Sequence, residues 1–188
     1  MTEQVNSELQ KKVASGITSE TLYAVSLPDA QIAETIRFRP VSELASAAQA
    51  ADEMRQTSGD TLLLSDEYMR ISIEYARQGR AHYSDSFDYL KKSLNIRANL
   101  LEPHDPLLGI TYRYVYNKTA GLVPPEESID LLSRSLKVWE LLAEQNNIPA
   151  YITQYYINNG YQRLSILYRS IHQTELAKET ANKIKDLV

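Results

Sequence analysis

The amino-acid sequence predicts an all-α chain of helical hairpins stacked into a superhelix, an α-solenoid. Three observations point there. Glycine and proline number six and seven in 188 residues, and between them run long stretches whose apolar residues recur at helical spacing. The chain repeats itself on a shift of 42 residues, a period that belongs to stacked helical units. Thirteen tyrosines, against two phenylalanines and one tryptophan, concentrate between Tyr68 and Tyr168; a ring that packs while its hydroxyl keeps a polar partner suits half-buried helix faces.

The repeat is carried by particular residues. The shift places Gly79 on Gly121, Ser86 on Ser128, Asp88 on Asp130, Leu90 on Leu132, Ser93 on Ser135, Leu94 on Leu136 and Leu100 on Leu142. Phe87 over Ile129, Lys92 over Arg134 and Ile96 over Val138 fill the same frame conservatively. Within it, Phe87, Leu90, Leu94 and Leu101 form one apolar helical stripe, and Ile129, Leu132, Leu136 and Trp139 form another. These are the second helices of two hairpins. Ser84 and Asp85 mark the start of one; Pro124, Pro125 and Glu126 mark the other, because proline suits a first turn that needs no amide donor. The first ends by Pro103 and Pro106, the second before Pro149.

The first helices then fall over 66–78 and 107–120, followed by a longer one over 150–170. A third second-helix carries Leu176, Ala177, Ala181, Ile184 and Leu187. Residues 61–188 thus read as three hairpins. Residues 1–60 read as an N-terminal helical region, with helices over 3–14, 18–37 (broken at Pro28) and 41–56. Alanines at 45, 47, 48, 50 and 51 give the last one narrow faces that permit close helix approach. It is a degenerate fourth repeat or a cap, since terminal repeats of solenoids are atypical.

Composition excludes several functions. There is no cysteine, which removes disulfides, thiolate metal sites and cysteine nucleophiles and points to a reducing, cytoplasmic setting. The net charge of −4, with lysine and arginine scattered, offers no basic stripe for nucleic acid. No apolar run approaches the roughly 20 residues that span a bilayer, and the polar first ten residues lack the apolar core of a signal peptide. No Gly-x-Ser-x-Gly elbow, phosphate loop or dinucleotide fingerprint is present. His82, His104 and His172 sit near turns without a second ligand at metal spacing. The expectation is a non-enzyme without cofactor or metal.

Residues 89–97, YLKKSLNIR, followed by 100–106, LLEPHDP, resemble the tetratricopeptide repeats of kinesin light chain, which run 42 residues and join an L-x-I-R helix end to a G-x-x-H-P loop. Glu102 stands where that loop usually has glycine. Residues 161–168, YQRLSILY, leading to 175–177, ELA, are similar to the ordinary tetratricopeptide repeat, with small Ser165 at a helix crossing and Ala177 where the next helix packs. The resemblance covers roughly residues 65–188. It implies a superhelix whose concave face is lined by the first helices and grips an extended peptide or a partner helix, as a protein-binding adaptor or scaffold. A regulatory sensor that closes around a peptide or small ligand is the alternative.

Helical geometry then nominates a surface. With Tyr112, Val115 and Thr119 facing the core, Arg113 and Asn117 lie one turn apart on the groove side, where an arginine fork beside an amide suits a carboxylate or peptide backbone. In the last hairpin, burying Tyr161, Leu164 and Tyr168 exposes Asn159, Gln162, Ile166 and Arg169, with Tyr155 and Asn158 one turn earlier. The partner-binding candidates are therefore Arg113, Asn117, Tyr155, Asn158, Asn159, Gln162 and Arg169. The competing reading is an ordinary solvated helix face. Tyr114, Tyr116, Tyr155 and Tyr156 serve either as aromatic anchors for a partner or, more commonly, as core, and Trp139 falls on the core stripe. The expected partner is another protein or peptide, with neither nucleic acid nor membrane insertion, and a homo-oligomer is compatible with this reading.

Overall fold

The computed structural model describes residues 44–146 and 148–184. Among them every α-helix packs on its chain neighbours and no strand occurs. The seven are α1 (Leu44–Ser58), α2 (Leu62–Arg77), α3 (Tyr83–Leu100), α4 (Pro106–Thr119), α5 (Pro125–Gln145), α6 (Ala150–Ser170) and α7 (Thr174–Asn182). A 3-10 turn, Arg80–His82, leads into α3. The helices expected over 3–14 and 18–37 lie outside the described residues, as do the first residues of the one expected over 41–56 and Leu187.

Local chemistry explains the boundaries. Thr61 caps α2 by accepting the Leu64 amide at 3.1 Å, and Asp105 caps α4 by accepting the Leu107 amide at 2.8 Å, each supplying an acceptor to an otherwise orphaned donor. Pro106 and Pro125 occupy the first turns of α4 and α5, where the missing amide costs nothing. The turns inside the first two hairpins use Gly79 and Gly121 at φ 104° and 80°, a left-handed conformation that a side chain resists. That requirement accounts for their match in the 42-residue frame.

Three hairpins follow α1: α2 with α3, α4 with α5, and α6 with α7. Each crosses at a pair of small residues joined through a serine hydroxyl. Ser65 donates to the Ser93 carbonyl at 3.2 Å, Ser135 to the Gly109 carbonyl at 2.8 Å, and Ser165 to the Ala177 carbonyl at 2.9 Å. On the second helices these crossings fall at positions 93, 135 and 177, each separated from the next by the repeat length of 42. Small side chains let the backbones approach, and the hydroxyl, buried there, satisfies its own hydrogen-bonding need on the opposing helix.

Burial follows the same frame. Leu90 and Leu132, Leu94 and Leu136, and Ile96 and Val138 are all buried. The Leu100–Leu142 match does not hold: Leu100 is 49% exposed at the last position of α3, whereas Leu142 is 1% exposed in the longer α5. Position 97 and its counterpart 139 are both sealed, but one holds arginine and the other tryptophan. The main core runs from Met69 through α3, α4 and α5 to Leu164, and a second cluster joins Ala51 of α1 to Leu64, Tyr68, Ile71 and Ile96. None of these helices is long and apolar enough to cross a membrane.

Candidate binding surface

The helices α4 and α6 are the first helices of consecutive hairpins, and a polar ladder joins them. Arg113 on α4 donates from Nη2 to Asn159 Oδ1 on α6 at 2.7 Å, while its guanidinium lies 5.2 Å from the centre of the Tyr156 ring. Arg163 donates from Nε to the same Asn159 oxygen at 2.7 Å and from Nη1 back to Asn117 Oδ1 on α4 at 3.2 Å. Its guanidinium in turn lies 5.7 Å from the centre of the Tyr116 ring. Two arginines thus interleave with two amides and two aromatic rings, an arrangement in which each planar cation combines hydrogen bonds with a ring contact.

Behind the ladder, α5 supplies the backing. Trp139 stacks on Tyr156 with ring centroids 3.9 Å apart and planes inclined by 4°, and Gly160 lets α6 sit against Leu136. Counterpart to Trp139 on α3, Arg97 plays the same linking part with different chemistry. Its Nη2 donates to Asp66 Oδ1 of α2 at 2.6 Å and its Nη1 to Thr111 Oγ1 of α4 at 2.5 Å. Burial lowers the Arg97 pKa from the ordinary arginine value, and the Asp66 carboxylate opposes that shift.

Of the nominated residues, three come together in the ladder: Arg113, Asn117 and Asn159. Tyr112, Val115 and Thr119 face the core as the helical pattern requires. Arg113, however, is only 2% exposed, so the groove-side position expected for it is corrected. The neighbouring helix α6, which the pattern of α4 alone cannot reveal, covers its guanidinium. Asn117 is exposed and Asn159 half-buried. The remaining four, Tyr155, Asn158, Gln162 and Arg169, follow one another along α6 at helical spacing beside Asn159. Tyr155 is 41% exposed, Gln162 and Arg169 are exposed, and Asn158 is half-buried and accepts from Gln154 Nε2 at 2.9 Å. Exposed Tyr151 and Ile166 continue the same stripe.

Arg163 is the ladder residue that sequence reasoning missed. Its signal was present, since it sits four residues after Asn159 and therefore on the same helical face. Tyr114, Tyr116, Tyr156 and Trp139 are all buried. Burial pushes the Tyr114 phenol well above its ordinary range, and nearby Arg77 partly offsets that. Among the histidines, His82 Nδ1 lies 3.5 Å from the Asp85 carboxylate.

The chain matches no protein-family model, and no curated protein sequence matches it.

Proposed function

We propose that this chain is a protein-binding adaptor or scaffold of the tetratricopeptide kind, similar to the repeats of kinesin light chain, whose stacked first helices form a concave wall for a peptide or a partner helix. The observation that carries the reading is the ladder of Arg113, Asn159, Arg163 and Asn117. It holds α4 beside α6, so the outward residues of two successive hairpins adjoin each other. The stripe of Tyr155, Asn158, Gln162 and Arg169 supplies an aromatic ring, two amides and a cation, which suit recognition of a peptide backbone and its carboxylates. We assign the protein no catalytic role, cofactor or metal, and place it in the cytoplasm on its lack of cysteine.

Triple substitution Tyr155→Ala, Gln162→Ala and Arg169→Ala tests the surface. All three side chains reach solvent, Tyr155 while packing edge-on against Tyr156, so stability should fall by about 1 kcal/mol at Tyr155 and stay within about 0.5 kcal/mol at the other two sites, while a partner purified on the parent chain should lose affinity. Retained affinity removes this stripe from the proposal. Compaction or a new oligomeric state when the partner is added, followed by solution scattering, would assign the chain to the sensor class instead of the scaffold class.

A further inference from the structure

A recess lies away from the α6 stripe, where the end of α2, the start of α3 and the end of α4 meet. It encloses about 650 Å³, within the range of roughly 300–1,000 Å³ typical of small-molecule sites. Its walls mix polar and apolar groups, the apolar part coming from Ile73 of α2, Phe87 and Leu90 of α3, and Val123 beyond α4. Leu90 is buried, Ile73, Phe87 and Val123 are half-buried, and Leu122 at the edge is 61% exposed. Apolar surface left facing water in such a recess costs free energy, which a ligand covering it would relieve.

The charge on these walls has one sign. Arg77 stands on the α2 side and Lys118 on the α4 side, and among the described residues no carboxylate lines the recess, although the whole chain carries a net charge of −4. Among the described residues Arg77 forms a surface pair with Glu74 at 3.3 Å, its own side chain 57% exposed, an interaction weak enough to be exchanged for a ligand. Lys118 lies 5.5 Å from the centre of the Tyr114 ring. Asn117, Thr119 and Ser84 add hydroxyl and amide groups. An apolar patch flanked by cations from two helices complements an apolar body that bears an anionic head, and it fits a dication poorly.

We propose that this recess binds a small organic anion with an aromatic or aliphatic body, its acid group held between Arg77 and Lys118. This goes beyond the adaptor reading: of the residues that carry that reading only Asn117 also lines the recess, and none of Tyr155, Gln162 and Arg169 does, so separate substitutions test the two.

Two fluorescent probes of similar shape test it on the full chain: anionic 8-anilinonaphthalene-1-sulfonate and neutral N-phenyl-1-naphthylamine. Saturable binding of both is expected. Arg77→Ala with Lys118→Ala should weaken the anionic probe roughly tenfold, the loss of charge-assisted contacts, and leave the neutral probe within about twofold. Ala76→Phe, which fills the recess from the α2 wall, should remove both. The proposal fails if neither probe saturates, if the double substitution leaves the anionic probe unchanged or weakens both probes equally, or if Ala76→Phe leaves binding intact. Circular dichroism melts of each variant exclude unfolding as the cause of a loss.

Discussion

Arg97 donates from Nη2 to Asp66 Oδ1 at 2.6 Å, although Arg97 is 1% exposed and the Asp66 side chain 52%. A sealed cation is therefore neutralised by a carboxylate that still touches water. The asymmetry matters for substitution: removing the acid leaves the buried charge with Thr111 and the field of Asp105 alone, whereas removing the arginine leaves an acid that water can solvate.

Asp66→Ala should accordingly destabilise the chain by about 3 kcal/mol or more, and Arg97→Met by clearly less, since methionine fills the volume without a charge to desolvate. Urea denaturation of the two variants checks the order. A larger loss for Arg97→Met would mean that its links to α2 and α4 outweigh the burial of its charge.

Two buried glycines should respond to alanine with different costs. A Cβ on Gly109 would stand 3.0 Å from Trp139 Nε1 and 3.1 Å from Val138 Cγ1, and the rigid indole has no flexible end to move aside. Gly109→Ala should cost about 1–3 kcal/mol from overpacking, reduced by the roughly 1 kcal/mol that alanine gains in a helix. At Gly160 the nearest atom is Leu136 Cδ1 at 3.1 Å, the end of a flexible side chain, so Gly160→Ala should lie within about 1 kcal/mol of the parent. Thermal melts of the two variants decide it, and a Gly160 change as costly as the Gly109 one would contradict the reasoning.

Leu136→Ala empties the buried site between α5 and α6 and should cost about 2–5 kcal/mol. A loss near zero in chemical denaturation would mean that the stripe of Leu132, Leu136 and Trp139 is not core.

Tyr161 carries a pH dependence of defined sign. Burial, and the Glu140 carboxylate that accepts a hydrogen bond from its hydroxyl, push its phenol from the ordinary value of 10.0 up to about 12. A folded pKa above the unfolded one stabilises the fold below pH ~10 and loses that contribution as pH rises from ~10 to ~12. Tyr161→Phe should be less stable than the parent at neutral pH by about 1 kcal/mol, with the difference shrinking across the alkaline range. Denaturation midpoints at several pH values measure this; a gap that widens on raising pH would give the opposite sign.

Much of this fold could be read without coordinates, and the reasons are local. The helix expected over 150–170 is α6, because Pro149 stops chain propagation on one side and its apolar spacing persists to Ser170. The crossings at Ser93 and Ser135 were visible as identities in a repeat, since a helix crossing tolerates few residue types. What could not be read was whatever one helix does to the next. The pattern of α4 alone puts Arg113 on its open side, since it carries no information about α6, and it is α6 that buries it. Leu100 and Leu142 match in sequence but not in burial, because α3 stops at Leu100 while α5 continues to Gln145. The segment after Gly79 forms a short 3-10 turn that the helical periodicity does not reveal. The last helix is shorter than its apolar pattern, ending at Asn182 with Ile184 beyond it.

The side-by-side placement of α4 and α6 is tested most directly by a double-mutant cycle on Arg113 and Asn159, whose 2.7 Å bond spans the two helices. Arg113→Met, Asn159→Ala and their combination are to be measured by urea denaturation. A coupling energy of about 1–3 kcal/mol is expected, as for groups sharing a buried charge-assisted hydrogen bond. Losses that add to within about 0.5 kcal/mol would contradict it, because residues on helices that do not adjoin have no means of sensing one another.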